Sequence, residues 1–151
     1  MRVDVAVTVG APSEAVWSVV SDIEGATTTL SAVEEIEVVE NPGEGLLGFK
    51  WRETRTIFGK RATETMWITE VEDGVGYVTE ARSHGSIYRT RVRVDEEPGG
   101  TRLSMTFAAQ PVSLGAKVLS TLLGFVMKRS VRSALLKDLR DIKAAVESRQ
   151  R

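Results

Sequence analysis

The sequence predicts an α+β chain in which a curved antiparallel sheet wraps one long C-terminal helix. Three observations predict it. Apolar and polar residues alternate through much of the first 109 positions, the period of strands with one wet and one dry face. Short links rich in Gly, Pro, Asn and Asp separate these runs and are of hairpin length. After Pro111 the period lengthens to that of a helix and persists to about Ser148.

The elements follow in order. Val3, Val5, Val7 and Val9 stand at every second position and mark a first strand. Gly10 to Glu14 breaks that alternation, and Pro12 or Ser13 opens a short helix whose apolar face uses Val16, Trp17, Val19 and Val20. Residues 22–31 are polar and read as one further helical turn or a loop, followed by a strand over Val33 to Glu40 and the Asn41-Pro42-Gly43 turn. Strands are then expected at about 46–58, 60–72, 75–84, 86–96 and 101–109. Arg89, Arg91 and Arg93 alternate with Tyr88, Thr90, Val92 and Val94, so the sheet has one face to cover. Val131, Leu135, Leu139, Ile142 and Val146 recur at steps of four and three and give the long helix the stripe that covers it. The front of that helix, Val118 to Met127, is apolar nearly all round and is expected to be enclosed by several neighbours.

Composition restricts the chemistry. The 151 residues make one domain, and 42% apolar with 27% charged residues is the balance of a folded globule. A net charge of −1 gives no global attraction to nucleic acid, and none is expected as a partner. Without cysteine and with His84 as the single histidine, the chain has no thiolate metal site, disulfide or multi-histidine ligand set, and no metal is expected. No Walker loop or GxSxG elbow occurs, and no cofactor is expected. The N-terminus lacks the apolar core of a signal peptide, which favours the cytoplasm. The most apolar stretch, Leu114 to Met127, carries Lys117 and is shorter than the roughly 20 residues of a membrane-spanning helix.

The order of elements, the Ala11-Pro12-Ser13-Glu14-Ala15-Val16-Trp17 stretch, the Gly99-Gly100-Thr101-Arg102-Leu103 turn and the final long helix together resemble the START-like or SRPBCC superfamily, more narrowly its polyketide cyclase/dehydrase-type members. The resemblance implies the helix-grip fold: seven antiparallel strands around the C-terminal helix, two small helices between strands 1 and 2, and a deep, mainly apolar cavity. It also implies a small hydrophobic ligand, lipid-like or polyketide-like. Where such chains often carry an aromatic residue and a proline near the second helix, this one has Ala26-Thr27-Thr28-Thr29-Leu30.

Phe49, Trp51, Met66, Ile68, Tyr88, Met105, Phe107, Leu119, Leu123 and Met127 are the candidates to line the cavity. Phe49, Trp51, Glu53 and Arg55 share one strand parity, which places an acid and a cation in an apolar cup. There Glu53 serves as a proton donor or acceptor and Arg55 orients an oxyanion or carboxylate. The competing reading is a mutual or cross-strand ion pair, for example with Glu64 across the Gly59 turn, or a rim position near the sheet edge. Tyr88 and His84 complete the candidates for proton transfer. Residues 112–151 hold nine basic and three acidic residues, a positive stripe for which a solvated face is favoured over contact with a membrane. A monomer and a homodimer are both compatible with an apolar patch at Val112 to Leu122.

Overall fold

The computed structural model describes every residue except Phe58 and His84, and the side chains of all the others except Ser120 and Leu122. It is an α+β helix grip. The elements are β1 (Arg2–Val9), α1 (Ser13–Val20), α2 (Ala26–Thr29), β2 (Val33–Glu40), β3 (Lys50–Ile57), β4 (Lys60–Glu72), β5 (Gly76–Ser83), β6 (Ser86–Glu97), β7 (Gly100–Pro111) and α3 (Leu114–Arg149). The seven strands form one antiparallel sheet in the order β1-β7-β6-β5-β4-β3-β2, so only the β1–β7 pairing joins strands distant in sequence. β3 begins at Lys50 rather than near residue 46, because Gly43, Gly45 and Gly48 all take positive φ and turn the chain out of the ladder.

Alternation becomes burial as expected. Val3, Val5 and Val9 of β1, Val92 and Val94 of β6, and Leu103 and Met105 of β7 join one core with Leu139, Ile142 and Val146 of α3. Arg89, Arg91 and Arg93 stand on the exposed face. Buried hydroxyls fasten the small elements to the sheet. Tyr77 Oη donates to the Val20 carbonyl at 2.8 Å and anchors the end of α1, and Thr101 Oγ1 donates to the Ala11 carbonyl at 2.7 Å. Asp141 accepts from the backbone N and hydroxyl of Ser31, and Glu147 accepts from the backbone N of Gly10, so both loops flanking the small helices are tied to α3.

The placement of α3 follows from three anchors. At its start, the backbone N of Val112 and of Ser113 donate to the Gly85 carbonyl at 2.8 and 3.2 Å. Gly85 has φ of +73°, and a Cβ there would stand 2.3 Å from Ser113 Oγ, so no other residue seats the helix on this turn. Farther along, Arg132 Nη1 donates to the Asp4 carbonyl and Lys143 Nζ to the Thr8 carbonyl, so from Arg132 onward α3 runs alongside β1 in the same direction. The stretch from Leu114 to Val131 spans about 27 Å at the helical rise, whereas the residues of β1 preceding Asp4 span only about 10 Å.

That stretch bridges two anchors with little beneath it, and the expectation of an enclosed front half is overturned. Leu114, Val118, Leu119, Leu123, Phe125, Val126 and Met127 are all exposed. The apolar all-round pattern required company, but the sheet supplies it only from about Val131 of α3 onward.

Candidate functional site

Between the concave face of the sheet, α1, α2 and the middle of α3 lies a cavity of about 370 Å³, within the range of small-molecule sites. Strand parity delivers its floor. Trp51 of β3 pairs with Met66 of β4, Met66 with Ala81 of β5 and Ala81 with Tyr88 of β6, so one row of the pleat crosses four strands, and the next row on the same face, Thr79, Thr90 and Phe107, carries the floor to β7. Val131, Leu135, Asp138 and Ile142 of α3 close it from above, and Val20, Ile23 and Leu30 at one end. Ile57, exposed near the tip of β3, marks an opening.

Of the residues singled out in the sequence, Trp51, Glu53, Arg55, Met66, Tyr88, Met105 and Phe107 stand on the cavity wall, with the Tyr88 and Phe107 rings stacked at 5.8 Å. Phe49 and Ile68 do not. They share the parity of Trp51 and Met66 but lie two positions farther along the β3–β4 ladder, in solid core, where the Phe49 ring packs on Trp51 at 5.8 Å. Leu119, Leu123 and Met127 are off the wall for a different reason, since they belong to the bridging part of α3. His84 lies outside the described residues.

The polar end of the cavity is a buried cluster on Arg55. Its Nε donates to Glu53 Oε2 at 2.6 Å, and Nη1 and Nη2 donate to the two oxygens of Asp138 at 3.1 and 2.8 Å. Trp51 Nε1 donates to the other oxygen of Glu53 at 3.3 Å. Every nitrogen of the guanidinium is thus engaged with a carboxylate. Burial alone would lower the pKa of Arg55, but the charges of Glu53 and Asp138, with their hydrogen bonds, raise it. Asp138 is raised above the usual aspartate value. Burial is the main cause and outweighs the pairing with Arg55, and the nearby charges of Glu53 and Asp141 add to it. Burial likewise pushes the Tyr77 phenol up.

The cluster corrects one expectation and adds two residues. Arg55 is not presented to a ligand oxyanion, because both carboxylates already hold it. The ion pair is the mutual one with Glu53, joined by Asp138 of α3, while Glu64 faces Glu53 across the ladder. Asp138 was legible in principle: it falls three residues after Leu135 and four before Ile142, inside the apolar stripe of α3. Tyr77 has the parity of Thr79 and Ala81, but only the strand order brings its hydroxyl to α1.

The family profile described as "Polyketide cyclase / dehydrase and lipid transport" matches residues 1–147. The chain belongs to this family. Among solved structures it is similar to a START superfamily protein from Mycobacterium smegmatis (TM-score 0.77, 18% identity, 97% of each chain covered). It is also similar to the Zhui aromatase/cyclase from Streptomyces sp. R1128 (TM-score 0.75, 19% identity, 100% of this chain and 96% of that one). A third similar structure is TTHA0849 from Thermus thermophilus (TM-score 0.70, 24% identity, 96% and 99% covered). These likenesses establish the START-like fold. A comparison with curated proteins finds no match. Among the described residues no helix is long and apolar enough to cross a membrane, and no cluster of three or more potential metal ligands occurs.

Proposed function

We propose that the protein binds a small amphipathic molecule, lipid-like or polyketide-like, with its apolar body on Trp51, Met66, Tyr88, Met105 and Phe107 and a hydrogen-bond-donating end at Glu53 and Asp138. The observation that carries this reading is the charge of the wall. Among the described residues it holds four carboxylates, Asp22, Glu53, Glu64 and Asp138, against one guanidinium that is already occupied. Carboxylates accept hydrogen bonds, so a hydroxyl, phenol or enol is welcome there and a ligand carboxylate is repelled. The setting we favour is the cytoplasm.

The test begins with native mass spectrometry and organic extraction of the purified protein, which names the chemical class of any bound molecule. Displacement of an apolar fluorescent dye then compares a fatty alcohol with the fatty acid of equal chain length at pH 7. The alcohol is expected to displace the dye at least tenfold more effectively, and equal or better displacement by the acid overturns the assignment.

One observation favours a second reading, a cyclase or dehydratase. The Asp138 carboxylate, made more basic by burial and lining an apolar space, is placed to take a proton from a carbon of a bound poly-ketone and pass it to a ketone oxygen as the chain folds. Turnover of a poly-ketone by the native protein, lost in Asp138→Asn while dye binding persists, is the result expected of that reading. Dye binding without turnover leaves the binding role alone.

A further inference from the structure

We infer that the front of α3, from Leu114 to Arg129, is a docking segment for an anionic lipid surface. This goes beyond the cavity reading and is independent of what the cavity holds. The segment is uncovered: Leu114 is 79% and Phe125 82% exposed, and Val118, Leu119, Leu123, Val126 and Met127 are exposed with them. A Cβ built at Gly115 or Gly124 would meet no atom within 4 Å apart from the helix's own backbone and chain neighbours, so open space lies beside the helix there.

The exposed apolar residues do not form the single stripe that a protein groove reads. At 100° per residue, Leu114, Val118 and Phe125 share one side, Leu119 and Val126 the next, and Leu123 and Met127 the one beyond. That is an apolar arc of more than half the helix, the shape of a helix lying in the headgroup region of a bilayer.

Charge selects the kind of surface. From Pro98 to Lys137 the sequence contains no aspartate or glutamate, while Lys117, Lys128, Arg129, Arg132 and Lys137 all fall on α3. Such cations lay their stems along apolar surface and carry their charge to lipid phosphates. A second copy of the chain is a poor occupant, because an isologous contact through this segment would set Lys117, Lys128 and Arg129 against cations of the other copy with no carboxylate between them. The charges alone favoured a solvated face, but the exposed apolar residues set among them reverse that preference. The cavity-lining residues Val131, Ala134 and Leu135 follow at once on the same helix, so docking brings the cavity to the lipid.

The test is co-sedimentation of the full-length protein with vesicles of phosphatidylcholine alone or with about one third phosphatidylserine. Binding to the anionic vesicles, weakened at high salt, is expected. Lys128→Glu with Arg129→Glu should weaken it at least 20-fold, at about fivefold per cation, and Phe125→Glu should weaken it at least tenfold. Both variants alter exposed side chains, and unchanged dye uptake by the cavity confirms that they fold. No binding to anionic vesicles overturns the inference, as does binding that Phe125→Glu leaves intact. A dimer broken by Phe125→Glu, without vesicle binding, assigns the segment to self-association instead. Because dye uptake reports the cavity separately, failure at the vesicle leaves the cavity reading standing.

Discussion

The two halves of α3 are one continuous helix with opposite relations to the rest of the chain. Behind Arg132, Leu139, Ile142 and Val146 are buried against the sheet, and the stripe they form admits a single acid, Asp138, which is 3% exposed and held by Arg55. Ahead of it the residues are more apolar, yet they stand in the open. Hydrophobicity therefore does not decide burial here; the position of a partner does. The rear half lies along β1, whereas the front half spans from the Gly85 turn to that contact.

The largest effect that separates the halves should come from the buried cluster. Arg55→Ala leaves Glu53 and Asp138 facing each other without their cation, and a loss of about 3–5 kcal/mol is expected in urea or guanidinium titration. A loss below about 1 kcal/mol would mean that water reaches the cluster freely. Next come truncations along the helix. Leu139→Ala, at a fully buried site, should cost about 2–5 kcal/mol. Phe125→Ala should change stability by no more than about 0.5 kcal/mol. Equal costs would erase the distinction between the halves.

The smallest effect is a difference of sign within the rear half. Asp138 titrates above its ordinary 3.8, chiefly through burial, and Glu147 below its ordinary 4.5, through its hydrogen bonds with Lys143 and Gly10. The folded chain holds the Asp138 proton more tightly than the unfolded chain does. Its share of stability therefore increases as pH falls through the raised value and levels off below 3.8. The share from Glu147 is present above 4.5 and is lost as pH falls through its lowered value. Carbon NMR titration of the two carboxyl groups, with Asp138 above 3.8 and Glu147 below 4.5, checks both directions.

The fold was legible because period and turn chemistry are local. The alternation of β1, the glycine turns and the 131-135-139-142-146 stripe each announce themselves within a dozen residues. The cavity floor was legible in part for the same reason: parity puts Trp51, Met66, Tyr88 and Phe107 on the concave side. Parity says nothing of depth, so it groups Phe49 and Ile68 with them although the cavity stops short of both. The bond between Arg55 and Asp138 joins residues 83 positions apart, and nothing in either segment specifies the other. The exposure of Leu119, Leu123 and Met127 was hidden most thoroughly, since it depends on where the sheet ends beneath the helix.

The open sheet also has two unpaired margins, and the chain keeps each from growing by a different means. At β1 two outward carbonyls, those of Asp4 and Thr8, already accept from Arg132 and Lys143, so an arriving strand finds part of its template occupied. At β2 four of the eight residues are glutamates, and an approaching copy meets repulsion instead. Acid silences the second defence before it disturbs the first. Under acidic conditions, strand addition and fibre growth should begin at Val33–Glu40.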